Sequence, residues 1–314
     1  MERRWVPQFM LSACYLTMSD TATGKKTPHS PYSLPLQPKM WYLYANGSWI
    51  ETAAPTRGEL FGDGAFETIR VWEGRPLLLS EHLRRLKDAA YALSLRLPLP
   101  IEALSKAVGE YAHAYRHARL KLILYRSGEG TYAPPTAEGH IRVGITELPP
   151  TPFPLGKPQR VVIFPTRFTV STPWSGYKLL SAIGYVQAAA YAHAQAAEDA
   201  IVLSTEGYIA ETSRANLFFW DGEKLCTPAL RTGCVRGIMR AQVLQAAKEL
   251  QLPVVEGLFP PQTLLEAHEA FTTNAIQGIV PILGIRDAGK TYKTGDNTYA
   301  AALSQILWRK LTCS

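Results

Sequence analysis

The sequence predicts an α/β (α+β) protein of two domains, and three observations carry that expectation. Strand-like and helix-like stretches alternate through residues 40–150. The proline-rich stretch ELPPTPFPLGKP, 147–158, sustains neither helix nor ladder, and further strands and helices follow it. With 46% hydrophobic and 10% aromatic residues among 314, the chain can bury a large core. The expected organisation is a disordered leader or mis-set start over 1–39, a small α/β domain over 40–150 and a larger domain over 151–314.

The leader contains SDTATGKKTPHSPYSLPLQPK, polar and without period. Before it, MERRWVPQFMLSAC ends in a lipobox-like Leu11-Ser12-Ala13-Cys14, which admits an export signal. Pro7 and Gln8 interrupt that short run, which favours Met40 as the start of the folded protein. From Met40 the pattern is strand, Asn46-Gly47 turn, strand, and then FETIRVWEGRPLLL gives two strands around Glu73-Gly74. Ser80 is expected to cap the helix EHLRRLKDAAYALSL, whose Leu83, Leu86, Ala90 and Leu93 share a face. A helix through IEALSKAVGEYAHAY and a strand RLKLILYRSG complete this half.

Beyond 158 come a strand RVVIFP, a helix through LLSAIGYVQAAAYAHAQAA and strands around 199–220 and 224–228. The helix GIMRAQVLQAAKELQL and strands near 253–259 and 269–273 follow, with no internal repeat.

A net charge of +7 raises nucleic acid as a partner, but the basic residues are scattered and no nucleic-acid module is present, so small anionic molecules fit as well. No segment is long and apolar enough to span a membrane. Cys14, Cys226, Cys234 and Cys313 form no CxxC pair and no metal site, and read as reduced cysteines of a cytoplasmic protein. The seven histidines form no nucleophilic arrangement with Ser or Cys.

Four positions carry candidate chemistry. Glu211 stands among apolar residues in TEGYIAETSRANLFF, where a solvent-facing strand position is the plain alternative. Lys178, just before an apolar helix, is either a surface lysine or an imine-forming amine in an enclosed pocket. In RTGCVRGIMRAQVL, Gly233 and Gly237 open a helix whose first amides can hold a phosphate, or simply mark a turn. Arg85, among Leu83 and Leu86, either snorkels to solvent or directs a guanidinium at the same anion. GELFGDGAF is not GxGxxG, which weighs against a dinucleotide fold.

Together these stretches resemble the fold-type IV pyridoxal-phosphate enzymes, the class IV aminotransferase family. FGDGAFETIR, EHLRRLKDAA, Lys178, EGYIAETSRANLFF, TPALRTGCVRGIMR and FTTNAIQGIVPI occur in the family's order from Met40 to the end. The resemblance implies a two-domain fold with pyridoxal 5'-phosphate between the domains, in a homodimer. It implies that Lys178 holds the cofactor as an imine and moves the proton, and that Glu211, 33 residues later, meets the pyridine nitrogen. It assigns the phosphate to Arg85, the amides of Gly237, Ile238 and Met239, and the turn Asn274-Ala275. Arg126 and Phe66 are expected on the substrate side, Arg126 against a carboxylate.

FGDGAFETIR, VRGIMR and TNAIQGIVPI are most similar to aminodeoxychorismate lyases of this family, which act in folate synthesis. The alternative is an aminotransferase using branched-chain or other amino acids with 2-oxoglutarate; a catalytically silent binding protein of the same fold is the third reading. YRSGEGTYAPP lacks the Arg-x-His element of D-amino-acid aminotransferases. Ile183 stands where branched-chain enzymes place a tyrosine, and Tyr185 is not assumed to replace it.

Overall fold

Aromatic-rich runs on either side of positions 46 and 47 pair as an antiparallel hairpin, β1 (Trp41–Ala45) with β2 (Ser48–Thr52), in register from Trp41 with Thr52 to Ala45 with Ser48. The computed structural model of the protein describes residues 41–45, 48–151 and 155–312. The leader over 1–39 with its export-signal alternative, the Met40 start, the Asn46-Gly47 turn, Cys14 and Cys313 lie outside the described residues. The chain divides into two compact units, Met1–Ala54 and Pro55–Ser314. The hairpin belongs to the first; all that follows belongs to the second.

The second unit opens with α1 (Arg57–Phe61), whose Thr56 and Glu59 form a capping box. Gly62 ends it in the left-handed region at φ 64°. Next come β3 (Gly64–Trp72), β4 (Arg75–Pro76), α2 (Leu79–Ala92), α3 (Ile101–His113), β5 (His117–Arg126) and β6 (Gly139–Glu147). The strands form an antiparallel sheet in the order β4-β3-β5-β6. Strand alternation divides its residues between two faces. Ile69, Leu120, Leu122 and Leu124 join Leu83 and Leu86 of α2 in one core, and Phe66 and Thr68 are left to line a cavity.

Ser80 does not cap α2. The helix begins one residue before it, behind Leu78 at φ 54°, and Ser80 donates to Glu81 at 2.8 Å. The bond from the Leu77 amide to Arg70 continues the β3/β4 pairing one residue past Pro76, and the helix follows directly behind Leu78.

The remainder builds a larger sheet. It comprises β7 (Gln159–Thr169), α4 (Ile183–Ala194), β8 (Asp199–Ser204), β9 (Ile209–Thr212), β10 (Asn216–Trp220), β11 (Leu225–Pro228), a 3-10 turn (Leu230–Thr232) and α5 (Ile238–Glu249). Then follow β12 (Val254–Gly257), α6 (Pro261–Glu266), β13 (Glu269–Asn274), β14 (Gly278–Ile285), β15 (Lys290–Thr291) and α7 (Tyr299–Thr312). The strand order is β12-β11-β10-β13-β14-β7-β8-β9, with β15 on β14. Parallel pairs β11/β12, β14/β7 and β7/β8 sit among antiparallel ones, which makes the fold α+β.

Helices α5 and α7 bury Met239, Val243, Leu303 and Leu307 against Phe218 and Phe271, while α4 covers Val162, Ala200 and Val202. Strands β6 and β14 and helix α7 are not anticipated from the sequence. β14 carries Pro281, ordinarily a mark against an inner strand. Its pairing with β7 begins only at Ile282, so the missing amide costs that ladder nothing.

Candidate active site

Glu211 lies on β9, where all four residues are buried; its carboxylate is 3% exposed. The solvent-facing alternative is therefore excluded. Three donors reach it: the Tyr185 hydroxyl at 2.7 Å and the Val235 amide at 2.9 Å on Oε1, and Asn216 Nδ2 at 3.1 Å on Oε2. Asn216 Nδ2 also donates to the Val235 carbonyl, which ties β10 to the approach to α5. Burial pushes the Glu211 carboxyl up to about 7, against the downward pull of Tyr185, the Val235 amide, Lys178 and Arg85.

Lys178 is held through its main chain. Its carbonyl accepts from the Phe66 amide at 2.7 Å, and the Leu180 amide donates to Gly64 at 3.0 Å. A Cβ on Gly64 would stand 2.1 Å from the Leu124 carbonyl and 2.9 Å from the Tyr125 Cα of β5, with the Leu180 side chain at 2.8 Å, so glycine in FGDGAF is required chiefly by the approach of the neighbouring strand. Upstream, Arg236 donates its amide to Gly176, binding the lysine segment to the start of α5. The Lys178 amine lies 4.6 Å from the Phe66 ring centroid. Burial, then the Arg85 charge, lowers its pKa from the ordinary value, with Glu67 and Glu211 opposing.

Arg85 is buried in α2 and does not snorkel to solvent. Its Nε and Nη2 donate to Glu67 at 2.7 and 2.6 Å, and its Nη1 donates to the Arg236 carbonyl at 2.9 Å. Those contacts engage three of its five N–H groups. Glu67, 1% exposed, also accepts from His82 Nδ1 at 2.7 Å. Burial alone would raise its pKa, but His82 and Arg85 outweigh burial and hold it below the usual carboxylate range.

At the head of α5, Gly237 is the N-cap, with no side-chain bond to the first turn. A Cβ there would stand 1.9 Å from Asn216 Oδ1, so any larger residue would have to displace the Asn216 amide from its bonds to Glu211 and Val235. The Gly237 amide, expected to help hold the anion, donates instead to the Val235 carbonyl at 2.9 Å, which leaves the first amides of α5, those of Ile238 and Met239, whose residues line the cavity. Their positive helix end suits an anion.

One cavity of about 700 Å³ brings these residues together. Lys178, Glu211, Arg85, Gly237, Ile238, Met239, Asn274, Ala275 and Phe66, all expected from the sequence, line it. Asn274 closes its own turn, its Oδ1 accepting from the Ile276 and Gln277 amides at 3.0 and 2.9 Å.

Arg126 is not brought there. Its guanidinium donates to Asp63, Leu93, Ser94 and Thr136, which fix it as a brace between loops, and the expected contact with a substrate carboxylate is not met by this geometry. Besides Arg85 and Lys178, the cavity is lined by Arg119 of β5 and by Arg214, which also pairs with Asp199 at 3.4 Å. Sequence reasoning missed Glu67, His82 and Asn216 and left Tyr185 unassigned. The spacing of His82 and Arg85, three residues apart on a helix, was the one available signal.

The family described as Amino-transferase class IV matches residues 64–285. The chain is 28% identical over 283 residues to the aminodeoxychorismate lyase of Bacillus subtilis (strain 168), covering 85% of this chain and 94% of that protein. Among solved structures, 4-amino-4-deoxychorismate lyase from Pseudomonas aeruginosa is similar at a TM-score of 0.68 and 28% identity, over 84% of this chain and 94% of that one. A branched-chain aminotransferase from Thermoproteus uzoniensis with norvaline shares the fold at a TM-score of 0.74 and 24% identity, over 87% and 95%. Identity and shape rank these two structures in opposite orders.

Proposed function

The chain belongs to the class IV amino-transferase family, and from that premise we propose that it is a pyridoxal-phosphate lyase that forms 4-aminobenzoate and pyruvate from 4-amino-4-deoxychorismate. The family implies the cofactor, and the residues fit it. The cavity joins an amine of lowered pKa, a buried carboxylate with an acceptor position to spare, and an open helix start beside a guanidinium.

Bound there, pyridoxal phosphate would supply a ring that takes up the electron pair left when a substrate C–H bond breaks. Arg85 and the amides of Ile238 and Met239 would hold its phosphate. Glu211 would set a carboxylate toward the ring nitrogen, where the cation that the ring brings would favour its charged form. Lys178, with its proton held less tightly than in water, takes the proton from the substrate carbon that bears the amine. Phe66, whose ring centroid lies 4.6 Å from the Lys178 amine, and Tyr177 line the cavity beside that amine. Departure of the enolpyruvyl group as pyruvate then leaves an aromatic ring.

Arg119, a cation among the cavity-lining residues, suits a substrate carboxylate of either reaction, and what favours the lyase is the set of sequence motifs FGDGAFETIR, VRGIMR and TNAIQGIVPI. The test supplies chorismate, glutamine and an aminodeoxychorismate synthase, and follows 4-aminobenzoate and pyruvate beside a parallel reaction of leucine with 2-oxoglutarate. Aminobenzoate release is the expected result; glutamate formation alone would make the protein an aminotransferase. Arg119→Gln should raise KM about tenfold with kcat little changed. The reading includes a homodimer, as the family implies, and a cytoplasmic setting, which the free, buried Cys226 and Cys234 support.

A further inference from the structure

We propose that Tyr185 is a positioning residue which, through its hydroxyl bond to Glu211 Oε1, leaves Oε2 as the oxygen that receives the protonated ring nitrogen of the cofactor. The inference rests on the cofactor reading above and concerns a residue that neither the motifs nor the family order assigns.

Lone-pair accounting leads to it. A carboxylate offers about two acceptor positions on each oxygen. Oε1 is filled by the Tyr185 hydroxyl and the Val235 amide, whereas Oε2 carries Asn216 alone. Asn216 has no further hydrogen to give from Nδ2, because its second one goes to the Val235 carbonyl. A single acceptor position therefore remains, and the residue that carries it lines the cavity.

Tyr185 is itself fixed. Its ring meets Phe168 edge-on at 5.2 Å, and Phe168 lies so close to α4 that a Cβ on Gly184 would stand 2.4 Å from it. The pair Gly184-Tyr185 thus sets the ring first and the hydroxyl second. Burial, followed by the Glu211 charge, raises the phenol above its ordinary pKa, so it remains a donor. Ionisable groups facing Glu211 are Tyr185 from α4, Lys178 from the segment before α4, Arg85 from α2 and Cys234 from the approach to α5. Of these, Tyr185 alone is a neutral donor bonded directly to the carboxylate.

The test titrates the full-length apoenzyme, wild type and Tyr185→Phe, with pyridoxal phosphate and with its 1-deaza analogue, in which a C–H replaces the ring nitrogen. Tryptophan fluorescence reports binding without turnover. Tyr185→Phe should weaken pyridoxal phosphate about tenfold and leave the deaza analogue within about twofold. Equal losses for both probes would reduce Tyr185 to a packing residue, and no loss for either would also overturn the inference. In a Glu211→Gln background Tyr185→Phe should add nothing; additive losses would mean that it does not act through Glu211. Wild type that binds neither probe would instead overturn the cofactor reading.

Discussion

Two carboxylates are buried around this cavity, Glu67 at 1% exposure and Glu211 at 3%, and their pKa values move in opposite directions. Glu67 lies between His82 and the bidentate Arg85, and their bonds hold it ionised. Glu211 receives a phenol, an amide side chain and a backbone N–H, none of which brings a full charge, and burial prevails. Equal burial therefore does not set the role of an acid. Glu67 is already neutralised and serves to hold Arg85; Glu211 is left wanting a cation, which suits it to a ligand that brings one.

Both acids act on the Lys178 amine. Lys178→Ala should cut turnover by about 10³-fold or more in the product assay while circular dichroism stays unchanged. Reduction with borohydride should then fix no cofactor to the chain. Removing Glu67 should strike stability instead: Glu67→Ala leaves Arg85 buried without its counter-charge and should cost about 3–5 kcal/mol in urea unfolding. Glu67→Gln, which keeps a hydrogen-bonding side chain, should cost less.

The two acids should also separate by pH in the apoenzyme. Glu211 has a folded pKa of about 7 against 4.5 ordinarily, so the folded state binds its proton more tightly over that interval. Its contribution is unimpaired below about 4.5 and should fall by ~3 kcal/mol as pH rises through 7. Glu67, with a lowered pKa, contributes fully above the ordinary carboxylate value and loses that contribution as pH falls through its folded pKa. Denaturation at pH 5 and pH 8 should show the Glu211 decline vanish in Glu211→Gln. The same variant should lose about 10²-fold in turnover, the smallest of these effects, since it keeps the shape and deletes only the charge.

Legibility in the sequence followed locality. Lys178 and Glu211 stand in stretches whose order is informative, and the Gly237 helix entry declares itself by glycine before an amphipathic run. Glu67 was hidden because its partners come from α2, and only the stacking of that helix on β3 joins them. Arg126 misled for the complementary reason. Its acceptors, the carbonyls of Leu93, Ser94 and Thr136, belong to loops that no pattern around position 126 reveals. Ser80 failed as a cap because the helix starts at Leu79, behind Leu78 in the left-handed region, so Ser80 already lies inside the first turn. Pro281 disguised β14, since whether a strand tolerates proline depends on where its neighbour's pairing begins.

The main-chain clasp around Lys178 bears on search rather than on bonding. With Phe66 and Gly64 on one side and the Gly176–Arg236 bond on the other, the lysine backbone is a fixed pivot. The amine is consequently confined to the volume swept by four methylenes. A proton carrier so tethered works at an effective concentration that no dissolved amine can match, on the scale of ~10⁵ M or more for well-oriented pairs. Loosening the pivot would dilute the catalyst without touching any atom that reacts.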